Sequence, residues 1–196
     1  MHPELISLCL FMFVTSCSPG PNNIVASYSG FNFGILKTIP HMLGVIFGFT
    51  FLVSLMNFGL VNVFQKFPII QEILKYTGSL FLIYLAYKIS FSKSSSENSK
   101  KNPVKFIETF FFQFINPKSV IVAVIMVSTY VDRGEDFLFY SFWVIGIAFL
   151  FAIISINFWT LVGKFLRRFA TNEKFIKRFN YAMSFLLLTC IATFYL

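Results

Sequence analysis

Apolar residues run along this chain in long uninterrupted blocks, without the polar alternation of a soluble fold. Six blocks stand at about 5–27, 39–63, 69–91, 107–131, 136–163 and 176–195. A bilayer core of about 30 Å takes roughly 20 helical residues, so each block is long enough to cross once. All six are read as helices, because unpaired backbone groups cannot face lipid. The polar turn Asp132-Arg133-Gly134-Glu135-Asp136 divides the fourth block from the fifth, and a Ser- and Lys-rich stretch from Ser92 to Lys105 divides the third from the fourth. The predicted fold is therefore an all-α membrane protein of six transmembrane helices. Residues 1–92 form a first three-helix repeat, 93–105 a cytoplasmic linker and 106–196 a second three-helix repeat. An odd number of spans per half makes the two repeats inverted with respect to one another.

Composition sharpens this picture. Of 196 residues, 57% are hydrophobic and 12% charged, where a soluble domain is about 25% charged. Short loops leave no room for a nucleotide-binding domain, and no Walker-type loop or motif for nucleophilic, metal-assisted or phosphoryl chemistry is visible, so no enzyme is expected. The start, Met1-His2-Pro3-Glu4, lacks the basic residues of a signal peptide, and the first block is expected to be a mature membrane segment. The net charge of +8 would suggest nucleic acid in a soluble protein; here it reads as topology, and no nucleic-acid partner is expected. Twelve basic residues follow the odd-numbered blocks, among them Lys37, Lys88, Lys105, Lys164 and Arg167, against Lys66, Lys75 and Arg133 on the other side. That asymmetry places the odd-numbered connections in the cytoplasm and both termini outside.

Two blocks are interrupted at corresponding places in the two halves. Block one carries Ser18-Pro19-Gly20-Pro21-Asn22-Asn23 and block four Asn116-Pro117-Lys118. Broken helices in matching positions are the best sequence pointer to a transporter's binding site. Proline lacks the backbone donor and blocks the carbonyl four residues earlier, so Pro19, Pro21 and Pro117 would free the carbonyls of Thr15, Cys17 and Gln113. Ser18 and Asn116 are expected to cap the half-helices beyond, each with proline at the first helical position. Free N–H groups at such ends suit a carboxylate, and released carbonyls suit an ammonium. One pocket then offers both poles that a zwitterion requires.

Lys118 is the sharpest residue: a charge deep in a span is by default a functional candidate, here for the substrate carboxylate. Its structural alternative is a lysine paired with a carbonyl or with a neighbouring repeat. Asn22, Asn23, Gln113, Asn116 and Asn157 are polar groups in apolar surroundings that would line the route, or else join helices by hydrogen bonds. Gly44 and Gly48, four residues apart, read as a close helix contact. The carboxylates fall near the block ends, so Lys118 or His41 is left to carry a coupled proton. Cys9, Cys17 and Cys190 show no metal or disulfide spacing. No metal or other cofactor is expected; an exporter of metal cations and a thiol or electron relay through Cys17 and Cys190 stand as alternatives.

Three elements together carry a resemblance: Ser18-Pro19-Gly20-Pro21-Asn22-Asn23; Lys75-Tyr76-Thr77-Gly78 leading into Tyr84-Leu85-Ala86-Tyr87-Lys88; and Phe114-Ile115-Asn116-Pro117-Lys118. In this register they resemble the LysE/RhtB family of amino-acid exporters. Residues 19–26, Gln113 to Asn116 and Asn157-Phe158-Trp159 look most similar to its cysteine/O-acetylserine exporter branch. The resemblance implies export of small neutral amino acids or their derivatives, cysteine/O-acetylserine-like or homoserine/threonine-like, driven by protons. It also implies a multi-pass location in a bacterial cytoplasmic membrane. The partners it implies are an amino-acid substrate, protons and the lipid bilayer, and a homo-oligomer is compatible with it.

Overall fold

The computed structural model describes residues 3–91, 104–132, 134–192 and 194–195. Among the described residues every regular element is helical: α1 (Pro3–Cys17), α2 (Pro21–Leu55), α3 (Val61–Lys66), α4 (Pro68–Ser90), α5 (Phe106–Ile115), α6 (Pro117–Tyr130), α7 (Phe137–Leu166) and α8 (Glu173–Ala192). A π-helical turn, Met56–Leu60, joins α2 to α3, and a 3-10 turn, Arg167–Phe169, follows α7. Four helical stretches are long and apolar enough to cross a membrane, or five when α5 and α6, bent by 62°, are one span. The expected linker lies outside the described residues except for Val104 and Lys105, and Arg133 also falls outside them.

The first two apolar blocks differ from expectation in how they join. The connection expected at 28–38 is helical, and α2 runs through it with a single non-helical residue, Gly34, at φ 78 and ψ 175. The apolar stretch Pro21–Phe64 has 44 residues, which at 1.5 Å each would measure about 66 Å, twice the hydrocarbon core. It does not run straight. His41 Nε2 lies 3.3 Å from the Asn22 carbonyl oxygen, whereas an unbroken helix would hold those residues about 28 Å apart. The chain folds back at Gly34, and the limbs 21–33 and 35–55 lie side by side. Glycine is required there because the backbone sits in a region that side-chain-bearing residues scarcely enter.

In lipid, apolar side chains gain little from meeting one another, so close backbone approach and polar contacts bind the helices. The 35–55 limb meets α5 at Gly44 and Gly48, where an added Cβ would come 2.6 Å from the Phe106 carbonyl oxygen and 2.7 Å from that of Phe110. The sequence reading of these two glycines as a helix contact holds, and the contact joins the first half to the second. The 21–33 limb meets α7 through Gly30 against the Thr160 carbonyl and Gly163 against the Ser27 carbonyl. Helices α4 and α8 run antiparallel: Ser90 Oγ donates to Ser184 Oγ at 2.7 Å, and eleven residues earlier in α4 and eleven later, just past the end of α8, the Ser79 and Tyr195 hydroxyls lie 3.3 Å apart. A large apolar core between α1, α2, α6 and α7 includes Leu8, Leu52, Met56, Met126 and Ala148, and a smaller one between α2, α4 and α8 includes Leu82, Ile89 and Leu187.

Candidate functional site

The first break spans residues 18–20. Helix α1 ends with Ser18 N–H donating to the Val14 carbonyl at 3.1 Å, and α2 begins with Ile24 N–H donating to the Gly20 carbonyl at 2.9 Å. Gly20, extended at φ -136 and ψ 173, is the cap, and Pro21 takes the first helical position. This corrects the expectation that Ser18 would cap the second half-helix. The reason lies in Pro21: its ring pushes the preceding residue out of the helical region, so Gly20 cannot be a helical residue of a helix capped at Ser18. Ser18 instead finishes α1, its hydroxyl donating to the Thr15 carbonyl at 2.8 Å. Two exposed carbonyls result. That of Ser16 accepts from Asn23 Nδ2 at 3.1 Å, Ser155 Oγ at 3.1 Å and Trp159 Nε1 at 3.3 Å. That of Ser18 accepts from Asn23 Nδ2 at 3.1 Å.

The second break follows the sequence reading closely. Asn116 caps α6, its side-chain oxygen accepting from the Lys118 N–H at 3.2 Å, with Pro117 first in the helix. Gly78 of α4 seats against the Ile115 carbonyl, so the glycine of the Lys75-Tyr76-Thr77-Gly78 motif lets α4 cover the broken end of α5.

The two breaks meet. Lys118 Nζ donates to the Ser18 carbonyl at 3.0 Å and the Ser18 hydroxyl at 2.7 Å. Asn22 Nδ2 donates to Gln113 Oε1 at 2.8 Å, and Gln113 Nε2 returns a bond to Asn22 Oδ1 at 3.1 Å. The same Gln113 oxygen accepts from Ser119 Oγ at 2.9 Å. Behind this pair, His41 Nδ1 lies 3.0 Å from Thr109 Oγ1. Between the breaks lies a cavity of about 540 Å³, its open mouth included, lined on its polar side by Gly20, Asn22, Asn23, Gln113, Lys118 and Ser155 and on its apolar side by Met12, Val45, Phe49 and Phe151. Pockets of a few hundred Å³ suit small organic molecules. No carboxylate lines it; its charge comes from Lys118 and from the α2 and α6 N-termini, all positive. The electrostatics thus favour an anionic group, beside carbonyls able to receive a donor.

The model of the family described as "LysE type translocator" matches residues 13–195. The chain belongs to that family. Relatives in Salmonella choleraesuis (strain SC-B67), 29% identical over 195 residues covering 97% of each chain, and in Escherichia coli (strain K12), 28% identical over 198 residues with the same coverage, are each named cysteine/O-acetylserine efflux protein. No solved structure matches.

The translocator's chamber gathers most of the residues singled out from sequence. Gly20, Pro21, Asn22, Asn23, Gln113, Asn116 and Lys118 line it; Ser18 touches it through Lys118. Pro19 and Pro117 shape the backbone and are not among the lining residues. Asn157 lies elsewhere: it is exposed and its amide donates to the Ile153 carbonyl of its own helix at 2.8 Å. Two residues on a helix differ by about 200°, so Ser155 and not Asn157 faces inward from α7. Ser155 belongs to a stripe with Ala148, Ala152 and Gly163, and that small-residue spacing is the signal that polarity alone missed. His41, one of the two groups left to carry a proton, is buried at the contact between α2 and α5. Thr109 and Ser119 also escaped notice, although Thr109 stands one turn before Gln113 and receives its helix-face bond, Gln113 Nε2 to the Thr109 carbonyl at 2.9 Å. Among the described residues no three His, Cys, Asp or Glu side chains converge, and Cys9, Cys17 and Cys190 form no disulfide.

Proposed function

We propose that this translocator exports small neutral amino acids or their derivatives, of the cysteine/O-acetylserine or homoserine/threonine kind. In this reading it works as a secondary transporter of the bacterial cytoplasmic membrane, with both termini outside. The observation that carries the reading is the meeting of both helix breaks in one polar chamber, bridged by Lys118 to Ser18 and by Asn22 to Gln113. The first amides of α2 and the Lys118 ammonium receive the substrate carboxylate, and oxygens of the 18–20 break receive its ammonium. Asn22, Asn23, Asn116 and Gln113 orient the remainder, and the apolar wall of Val45, Phe49 and Phe151 favours a small uncharged side chain. The names of the relatives support a cysteine-like or O-acetylserine-like cargo.

The architecture assigned to this activity is six spans in two inverted three-helix repeats, α1 with the 21–33 limb answering α5 with α6. The antiparallel seating of α4 on α8 supports it, since a two-fold axis in the membrane plane relates the third span to the sixth in that sense. Alternating access is then a rocking of the halves about the paired breaks, with Lys118 and His41 the groups placed to carry a coupled proton. Efflux from loaded proteoliposomes against a panel of labelled amino acids tests the reading. It predicts release of cysteine or O-acetylserine that slows when the proton gradient is collapsed. Equal retention of every amino acid would remove the function, and efflux indifferent to the gradient would remove the coupling.

A further inference from the structure

The Lys118 ammonium sits where its charge is poorly matched. Its side chain lies across Gly20, where an added Cβ would come 2.8 Å from Lys118 Cδ and 2.9 Å from Nζ. Gly20 is the cap of α2, so the ammonium rests at the positive end of a long helix, a place that favours anions. What holds it there is a pair of oxygens built for a primary ammonium. The Ser18 hydroxyl has its proton committed to the Thr15 carbonyl at 2.8 Å, which turns its lone pairs toward Lys118 Nζ at 2.7 Å. The Ser18 carbonyl accepts from Asn23 Nδ2 at 3.1 Å and gives its second lone pair to Lys118 Nζ at 3.0 Å. An ammonium carries three N–H donors, and the two bonds to Ser18 leave one for another acceptor.

We propose that Lys118 is the chain's own stand-in for a substrate ammonium, and that a zwitterion binds by exchange: its carboxylate draws Lys118 off Ser18, and its ammonium takes the two Ser18 oxygens. This rests on the reading of the chamber as an amino-acid site and adds which oxygens read the ammonium. Two consequences follow. A ligand with a carboxylate but no ammonium leaves the Ser18 hydroxyl and one lone pair of the Ser18 carbonyl without a donor, and one with an ammonium but no carboxylate has to compete with a tethered lysine, so molecules bearing both groups are favoured. In the unliganded carrier the same lysine satisfies the oxygens from within, and the chamber is never left with bare acceptors in a site shielded from water.

Chemical rescue tests the exchange without depending on which amino acid is carried. The full chain with Lys118→Ala is purified in detergent and its melting temperature followed against n-butylammonium, which replaces the lost side chain, and against tetramethylammonium, which has the charge but no N–H donor. The expected result is a saturable rise with n-butylammonium in the variant only, and no response to tetramethylammonium. The same response in the wild type, or none in the variant, overturns the proposal. Should Lys118→Ala not yield folded protein, the wild type decides instead. Under exchange 3-acetoxypropionate, which is O-acetylserine without its ammonium, is expected to bind at least tenfold more weakly than O-acetylserine, and equal binding of the two overturns the exchange. Failure of the wild type to transport any amino acid would remove the proposed function while leaving the amine result to stand or fall by itself.

Discussion

Gly48 and Gly146 differ in what surrounds them, and the difference is measurable. A Cβ at Gly48 would press within 2.7 Å of the Phe110 carbonyl oxygen, whereas nothing lies within 4 Å of one at Gly146. Backbone cannot step aside as a flexible side chain can. Gly48→Ala is therefore expected to destabilise the protein by about 1–3 kcal/mol, the range of overpacked cores, with Gly146→Ala unchanged in the same denaturation assay. Single residues also show where sequence reasoning succeeds and where it does not. Lys118 was legible because a charge deep in an apolar block has few innocent explanations. Asn116 was legible because Asn before Pro is a helix start. Asn157 misled because residue type says nothing of helical phase, and its neighbour Ser155, two positions earlier, points the other way. The capping role expected of Ser18 failed on a neighbour's constraint, since Pro21 leaves only Gly20 able to precede the helix.

At the scale of elements, the reversal between the first two blocks falls at Gly34, inside the connection expected at 28–38, but its form was not legible: helix continues on both sides and a single glycine makes the turn. No proline marks Gly34, and the residues around it are largely apolar. The reversal rests on one backbone conformation, φ 78 and ψ 175, with open space around the glycine. Gly34→Ala therefore adds strain without crowding. It is expected to cost about 1–3 kcal/mol in unfolding free energy, and equal stability of variant and wild type in that measurement would show that the turn does not need glycine. The breaks at residues 18–20 and 116 were legible, by contrast, because proline acts on its neighbours through fixed geometry that needs no tertiary context. The pairing of the breaks was reached from sequence only through the matching places that the prolines hold in the two halves. The contacts that fasten them, Lys118 to Ser18 and Asn22 to Gln113, join residues 100 and 91 positions apart respectively and have no local signature.

For the whole molecule, the composition alone required helices in a membrane, and the family match over residues 13–195 makes the chain a LysE-type translocator. The chamber ties that membership to a mechanism. It gathers a lysine, two helix N-termini and the oxygens of the first break around one cavity, while the buried His41, 3.0 Å from Thr109 Oγ1 and 3.3 Å from the Asn22 carbonyl, joins the two halves. The central claim is that Lys118 handles the carboxylate of a carried amino acid. Its most direct test is the rate of O-acetylserine efflux from proteoliposomes holding Lys118→Met beside the wild type, with both shown to be equally folded. A charge-assisted hydrogen bond is worth about 1.5–3 kcal/mol, so the variant is expected to export about 10- to 150-fold more slowly. Efflux from Lys118→Met at the wild-type rate would contradict the account.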